Sequence, residues 1–408
     1  MDSPIEFGGA TRRDHYSFDV NVAYLNQGSY GPCPRFVQDD FLTIRKIQEG
    51  NPDLWFRKTK ADLYLKALHM VADRFDCQFE QIALVENVTC GINAVLKTSL
   101  PSFQKPGGTI LYTNQGYGSV IYTIKEAAKQ HQMKTHELDI KLPIQSKDSL
   151  IKLFEEEIEK IDDLRLAVID HISSTTAIMF PIEELTELFH RRGIPVLIDG
   201  AHAPNQVLDL SLSKLKCEFY VGSLHKWMFT ARGTAFIFVR DPNVANQIQP
   251  SITSWGYQPS LAEPQYIPFH LQFFYQGTRD ETAMFTIPKS IEFIDSICGG
   301  FERIYEYNTK LAQKTKKTLD ERWQNDGKNL MPLELESPFL KMVKLPDLIA
   351  YEKSDADALR LLEDLLLKHQ IVTVIVHVNG ELYLRLSTQI YNEFDDYTRL
   401  ADLIDTFR

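Results

Sequence analysis

Residues 195–227 read PVLIDGAHAPNQVLDLSLSKLKCEFYVGSLHKW, and their pattern decides the fold. Two apolar runs, Pro195–Asp199 and Glu218–Gly222, are short and rich in Ile, Val, Phe and Tyr. Runs of that length and composition read as strands buried on both faces, as in a parallel sheet. Working outward, Thr109–Thr113, Leu166–Ile172 and Thr234–Val239 repeat the pattern and are also read as buried parallel strands. Between them lie helical patterns at Val120–Gln130, Ser149–Lys160 and Ile182–Arg192. The last opens after Pro181 and stops at Arg191-Arg192-Gly193, a proline start and a basic, glycine-terminated end. Alternating strands and helices predict an α/β domain whose ligand sits at the carboxyl ends of the strands.

The pattern changes past residue 242. Pro242–Pro268 is proline-rich with scattered aromatics and reads as irregular. Thr282–Tyr307 reads as a long helix interrupted at Gly299-Gly300. A second alternation follows: a strand at Phe339–Leu345, a helix at Asp355–His369, strands at Ile371–Val376 and Leu382–Leu386, and a terminal helix. The expected organisation is an arm over residues 1–22, a large α/β domain over 23–285 and a small α+β domain over 286–408. The helix at 282–307 links the last two.

Composition narrows the function classes. The 408 residues carry 44 Lys plus Arg against 55 Asp plus Glu, a net charge of −11. That balance argues against nucleic acid or an anionic membrane as partner. No run of about 18 apolar residues occurs, so no transmembrane helix is expected. The start, MDSPIEFGGATRRDHYSFD, lacks the apolar stretch of a secretory signal. The five cysteines are widely spaced with no CxxC pair, which suits a reducing cytoplasm and suggests neither zinc nor disulfides.

The chemistry lies where the two central strands end. Beyond the second stand Ser223, His225 and Lys226; the first ends in Asp199, followed by His202. A lone lysine after a strand is ordinarily a surface residue, and a lone aspartate there is ordinarily a cap. Together they supply an amine for a Schiff base, a carboxylate to keep a pyridine nitrogen protonated, and donors for a phosphate. That set describes a pyridoxal phosphate site.

Four motifs carry a resemblance: Ser-x-His-Lys at 223–226, Asp-x-x-His at 199–202, Gly277-Thr278-Arg279-Asp280, and Arg385-x-Ser387-x-x-x-Tyr391-Asn392. With Tyr24-Leu25-Asn26-Gln27-Gly28-Ser29-Tyr30-Gly31, the sequence resembles the class V aminotransferase-like enzymes of pyridoxal phosphate fold type I along nearly its whole length. It is most similar to the branch of isopenicillin N epimerases and ergothioneine-type carbon–sulfur lyases. The resemblance implies a large domain with a mainly parallel mixed sheet flanked by helices, and a small α+β domain.

It also implies roles. Lys226 would carry the cofactor, Asp199 would face the pyridine nitrogen, and His202 would contact the 3′-oxygen side. Ser223, His225, and Val88 and Thr89 at the start of a helix would hold the phosphate. Tyr117 would stack on the ring and could protonate a leaving sulfur, while Ser174 would stand near the cofactor. Asn26 and Arg385 would bind the substrate carboxylate; for Arg385, a structural salt bridge is the competing reading. Thr278 would reach the phosphate of a neighbouring subunit in a homodimer.

Ser174 departs from the asparagine of many cysteine desulfurases. No cysteine lies beyond Cys298, which disfavours a persulfide-forming desulfurase. The expected activity is therefore β-elimination from a cysteine S-conjugate or sulfoxide, like a hercynylcysteine sulfoxide lyase, yielding pyruvate and ammonia. An epimerase and a class V aminotransferase are the alternatives, and a non-catalytic binding protein of this fold stands behind them. The side-chain pocket is expected from loops such as Ser251–Pro268.

Overall fold

The computed structural model describes residues 3–19, 21–257, 267–325 and 329–408. After a two-residue strand β1 (Ala23–Tyr24), the chain builds one seven-stranded sheet. Its members are β2 (Ile82–Val85), β3 (Thr109–Thr113), β4 (Lys134–Leu138), β5 (Leu164–Asp170), β6 (Val196–Gly200), β7 (Phe219–Ser223) and β8 (Ala235–Val239). They lie in the order β2-β8-β7-β6-β5-β3-β4. Strands β3 to β7 run parallel. The expectation of a parallel strand at Thr234–Val239 is corrected: β8 is antiparallel to both β7 and β2. All residues of β7 and β8 are buried, so their apolar runs look alike whichever way the strand points.

Alternation along the strands sorts side chains onto two covered faces. Leu166 and Val168, Leu197, and Phe219 and Val221 share one face with the helices Val88–Lys97 and Gly118–Gln130. Ala167 and Ile169, Val196 and Ile198, and Tyr220 share the other. With a period of two, the next residues on the first face are Asp170, Asp199 and Ser223. Three apolar columns thus end in polar groups at one edge of the sheet, over the start of the helix Val88–Lys97. Gly91 sets that helix close to the sheet, because a Cβ there would lie 2.5 Å from Val221 Cγ1.

The expected long helix at Thr282–Tyr307 is also corrected. The segment is a 3₁₀ turn (Thr282–Thr286), a short helix (Ile287–Glu292), a π turn (Phe293–Ile297), and then the helix Phe301–Arg322. Pro288 constrains the first part, and Gly299 and Gly300, both at positive φ, separate the rest. The residues read as a polar arm include a helix, Gly9–His15, and the fully buried Tyr16.

The C-terminal part forms a three-stranded antiparallel sheet. Its strands β9 (Leu340–Lys344), β11 (Val374–Val378) and β12 (Glu381–Ser387) lie in the order β11-β12-β9. The two-residue β10 (Ile371–Val372) pairs in parallel with β1, tying the N-terminal segment to this region. Asn379 and Gly380, both at positive φ, close the β11–β12 hairpin, the pairing that two-residue hairpin turns favour. Helices Asp355–His369 and Phe394–Asp405 pack on this sheet. Among the described residues, no helix is long and apolar enough to cross a membrane.

Candidate active site

Lys226, just beyond β7, points its Nζ at His202 Nε2, 3.0 Å away. Burial lowers the Lys226 ammonium to about 8, against the pull of Asp199, which favours its charged form. Burial also drives His202 well down, with Lys226 adding to the effect, so its neutral ring accepts the lysine proton bond. His202 Nδ1 is buried and has no protein partner. Asp199 is 3% exposed and accepts the Ala201 amide at 2.9 Å.

The helix Val88–Lys97 aims its amino end at the same space. Asn87 caps it by accepting the Cys90 amide at 2.9 Å, which leaves the first-turn amides of Val88 and Thr89 without intrahelical acceptors. Such an end attracts an anion. Thr89 Oγ1 lies 3.4 Å from Ser119 Oγ. Opposite, Ser223 Oγ is 3.3 Å from His225 Nδ1, which also faces the Thr234 carbonyl at 3.2 Å. Burial lowers His225 to about 4, with Lys226 contributing.

Arg385 reaches in from β12. Its Nη2 donates to Asn26 Oδ1 and Ser29 Oγ, each at 3.1 Å, and its Nη1 donates to the Ser174 carbonyl. The side chain is 4% exposed, and burial lowers it to about 10. Among the described residues it has no carboxylate partner, and its Nε is buried and unpaired. The salt-bridge reading of Arg385 therefore has no support. The segment Asn26–Gly31 is held against the lysine loop, since Gln27 Nε2 donates to the Lys226 carbonyl and Tyr391 Oη to Gln27 Oε1 at 2.6 Å. Gly31, at φ 58°, permits the approach, because a Cβ there would lie 1.8 Å from the His225 carbonyl oxygen.

Val88, Thr89, Tyr117, Ser174, Asp199, His202, Ser223, His225 and Lys226 all line one cavity of about 350 Å³. Asn26 and Arg385 stand immediately behind its wall, bonded to the lining residues Ser29 and Ser174. Tyr117 lies at the mouth, 50% exposed. Thr278 is exposed and does not line this cavity. Of the expected side-chain loop, residues 258–266 lie outside the described residues; Trp255–Tyr257 form a 3₁₀ turn and Pro268–Phe274 a helix. No cysteine lines the cavity, and burial pushes Cys33 and Cys77 up to about 12.

The sequence reading missed two neighbours. Asp170 lines the cavity, yet the run Leu166–Ile172 carried its expected strand past it. The signal was there in the matching endings Val168-Ile169-Asp170 and Leu197-Ile198-Asp199. Ser29 was quoted only as part of a motif. The donor set fits pyridoxal phosphate: amides and hydroxyls for a phosphate, a carboxylate for the pyridine nitrogen, an unpartnered imidazole nitrogen, and a buried lysine.

Comparison with known proteins identifies the family and the fold. The aminotransferase class-V family profile matches residues 55–327. Isopenicillin N epimerase of Amycolatopsis lactamdurans is 29% identical over 97% of each chain. Putative L-cysteine desulfhydrase 1 of Oryza sativa subsp. japonica is 28% identical over 97% of this chain and 85% of that protein. L-cysteine desulfhydrase of Arabidopsis thaliana is 26% identical, over 94% and 87% respectively. Two solved structures share the fold. The cystine C–S lyase C-DES with cysteine persulfide superposes with a TM-score of 0.76 at 16% identity, covering 95% of this chain and 98% of that one. The cysteine desulfurase of Thermococcus onnurineus NA1 does so at 0.74 and 18%, covering 100% and 99%. This chain belongs to the aminotransferase class-V family, pyridoxal-phosphate-dependent enzymes of fold type I.

Proposed function

We propose that this enzyme catalyses carbon–sulfur β-elimination from a cysteine-type amino acid: cysteine itself, an S-conjugate or its sulfoxide. The Cα–H and Cβ–S bonds break, and sulfur leaves with the electron pair and a proton, as a thiol or, from a sulfoxide, a sulfenic acid. Water then releases the remainder as pyruvate and ammonia. The observation that carries the reading is the combination of a buried lysine amine 3.0 Å from His202 and a buried guanidinium that has no carboxylate among the described residues, beside one cavity. An α-amino acid presents a carboxylate to the second and a Cα proton to the first.

Pyridoxal phosphate, when bound, supplies the electron sink that makes the Cα proton removable. Asp199 would keep negative charge against its ring nitrogen, and the Val88 and Thr89 amides, with Ser223 and His225, would hold its phosphate. Arg385, kept in line by Asn26 and Ser29, orients the substrate carboxylate. Lys226 takes the Cα proton while neutral His202 holds its amine in place. Tyr117 at the mouth donates a proton to the departing sulfur. The lack of a cysteine in the cavity lining supports release of the sulfur fragment rather than its capture. The relatives named L-cysteine desulfhydrase favour the same outcome. Five free cysteines fit a reducing compartment such as the cytoplasm.

The chain acts as a homodimer in this reading, with exposed Thr278 completing the neighbour's phosphate site. Mixing a Thr278 variant with a Lys226 variant restores activity in heterodimers if that is so, and restores none if Thr278 serves no partner. Epimerisation is the second reading, supported by the isopenicillin N epimerase relative that covers both chains almost fully. One assay separates the two. Cysteine, S-conjugates and sulfoxides are supplied in deuterated water, and pyruvate, Cα exchange and product chirality are followed together. Elimination yields pyruvate with the freed sulfur fragment. Exchange with inversion and no pyruvate would reject the lyase and favour the epimerase.

A further inference from the structure

Asp170 ends β5, Asp199 stands one residue before the end of β6, and the two are paired residues across these parallel strands. Val168 and Leu197, two positions earlier, share one core face, so both carboxyls emerge on the same side and line the same cavity. They are 6% and 3% exposed. Two neighbouring carboxylates shielded from water do not both stay charged, and such a pair keeps one proton between them. Their surroundings differ. Burial raises the Asp199 carboxyl, but the Ala201 amide it accepts and the charge of Lys226 draw it back toward its charged form. Burial, and then the charge of Asp199, push the Asp170 carboxyl well above the usual range; its own amide, Lys226 and the Tyr117 amide offset this only in part. The loop before Tyr117 passes directly over it, since a Cβ on Gly116 would lie 3.6 Å from Asp170 Oδ2.

We propose that Asp170 is a positioning residue: it is the neutral member of the carboxyl pair, leaving Asp199 the anion, and it supports from beneath the Gly116–Tyr117 loop at the mouth of the cavity. The inference rests on the pyridoxal phosphate reading of the cavity. It makes one sequence position, untouched by the four motifs, responsible for both the electronic and the stacking partner of the ring.

The test compares Asp170→Ala and Asp170→Asn holoenzymes by cofactor dissociation constant, pyruvate turnover and visible circular dichroism of the bound cofactor. Alanine removes the carboxyl packed under the Gly116–Tyr117 loop and is expected to weaken cofactor retention about tenfold or more, with a reduced dichroic band. Asparagine is neutral and keeps a carbonyl oxygen, so it should recover all but about threefold of that loss. Combining Asp170→Ala with Tyr117→Ala should cost less than the product of the two separate losses. Asparagine as damaging as alanine, or an asparagine variant that fails to fold, would overturn the neutral-acid role. An alanine variant with unchanged retention and a fully additive Tyr117→Ala loss would overturn the loop-supporting role. If alanine does not fold, the asparagine comparison with the wild type still decides. A wild type that takes up no pyridoxal phosphate would instead defeat the reading of the cavity itself.

Discussion

At the amino ends of β6 and β7, His190 and Arg240 both approach Glu218, at 3.1 and 3.4 Å, and the Val196 amide donates to it at 2.8 Å. These partly exposed groups line the larger hollow, about 700 Å³. At the carboxyl ends of the same strands the hollow is half that size, yet its charges are buried and make no ion-pair contact among the described residues. Arg385 has no carboxylate among the described residues, and Lys226 bonds a neutral histidine. Asp199 rests on an amide and faces a second carboxyl. Burying a charge without its partner costs stability, and proteins retain such charges where a ligand completes them. Charge left open, rather than volume, separates the working end of this sheet from the idle one.

The comparison is most sharply tested at Asp199. Asp199→Ala removes the charge facing the ring nitrogen and should lower turnover by about 10²–10³-fold with the cofactor still bound, as loss of a preorganised electrostatic partner does. Near-full turnover would make this aspartate structural. Arg385→Ala comes next. Losing charge-assisted bonds to the carboxylate should cost about 1.5–3 kcal/mol, roughly 10–150-fold in kcat/KM, mostly through KM. A loss confined to kcat would point to misorientation instead.

The pH profile gives a smaller effect with a definite sign. Lys226 must be the free amine to accept a proton, and burial has brought its ammonium to about 8. Turnover should therefore rise as pH increases through about 8 and level off above it. A fall across that interval would assign the limiting proton to another group. At the opposite edge, Glu218→Gln should leave turnover unchanged and alter stability by less than about 1 kcal/mol, the range of exposed pairs. A large loss of activity there would break the distinction between the two ends.

Much of the working end was readable because it obeys strand periodicity until it stops. Pro195–Asp199 and Glu218–Gly222 are apolar runs broken by residues that apolar surroundings do not favour, and both breaks lie at the site. Asp170 follows the same rule, but His171 and Ile172 extended the apparent run beyond it. β4 was missed because it is an edge strand whose residues Lys134, Thr135 and Glu137 are exposed, without the apolar run of its neighbours. The direction of β8 was unreadable because burial on both faces removes the alternation that would distinguish it. Arg385 was legible as a charge within an apolar strand. Its partners Asn26 and Ser29 come from the far end of the chain, brought near by the pairing of β1 with β10 and by the Ser387 amide, which donates to the Leu25 carbonyl.

Lys226 is the charge around which this cavity is built. The direct measurement is to load the purified chain with pyridoxal phosphate, reduce it with borohydride, and map the labelled residue by mass spectrometry. The expected result is a yellow protein carrying one label per chain, on Lys226, with neither colour nor label in Lys226→Ala. A colourless chain, or a label on another lysine that persists in Lys226→Ala, would contradict it.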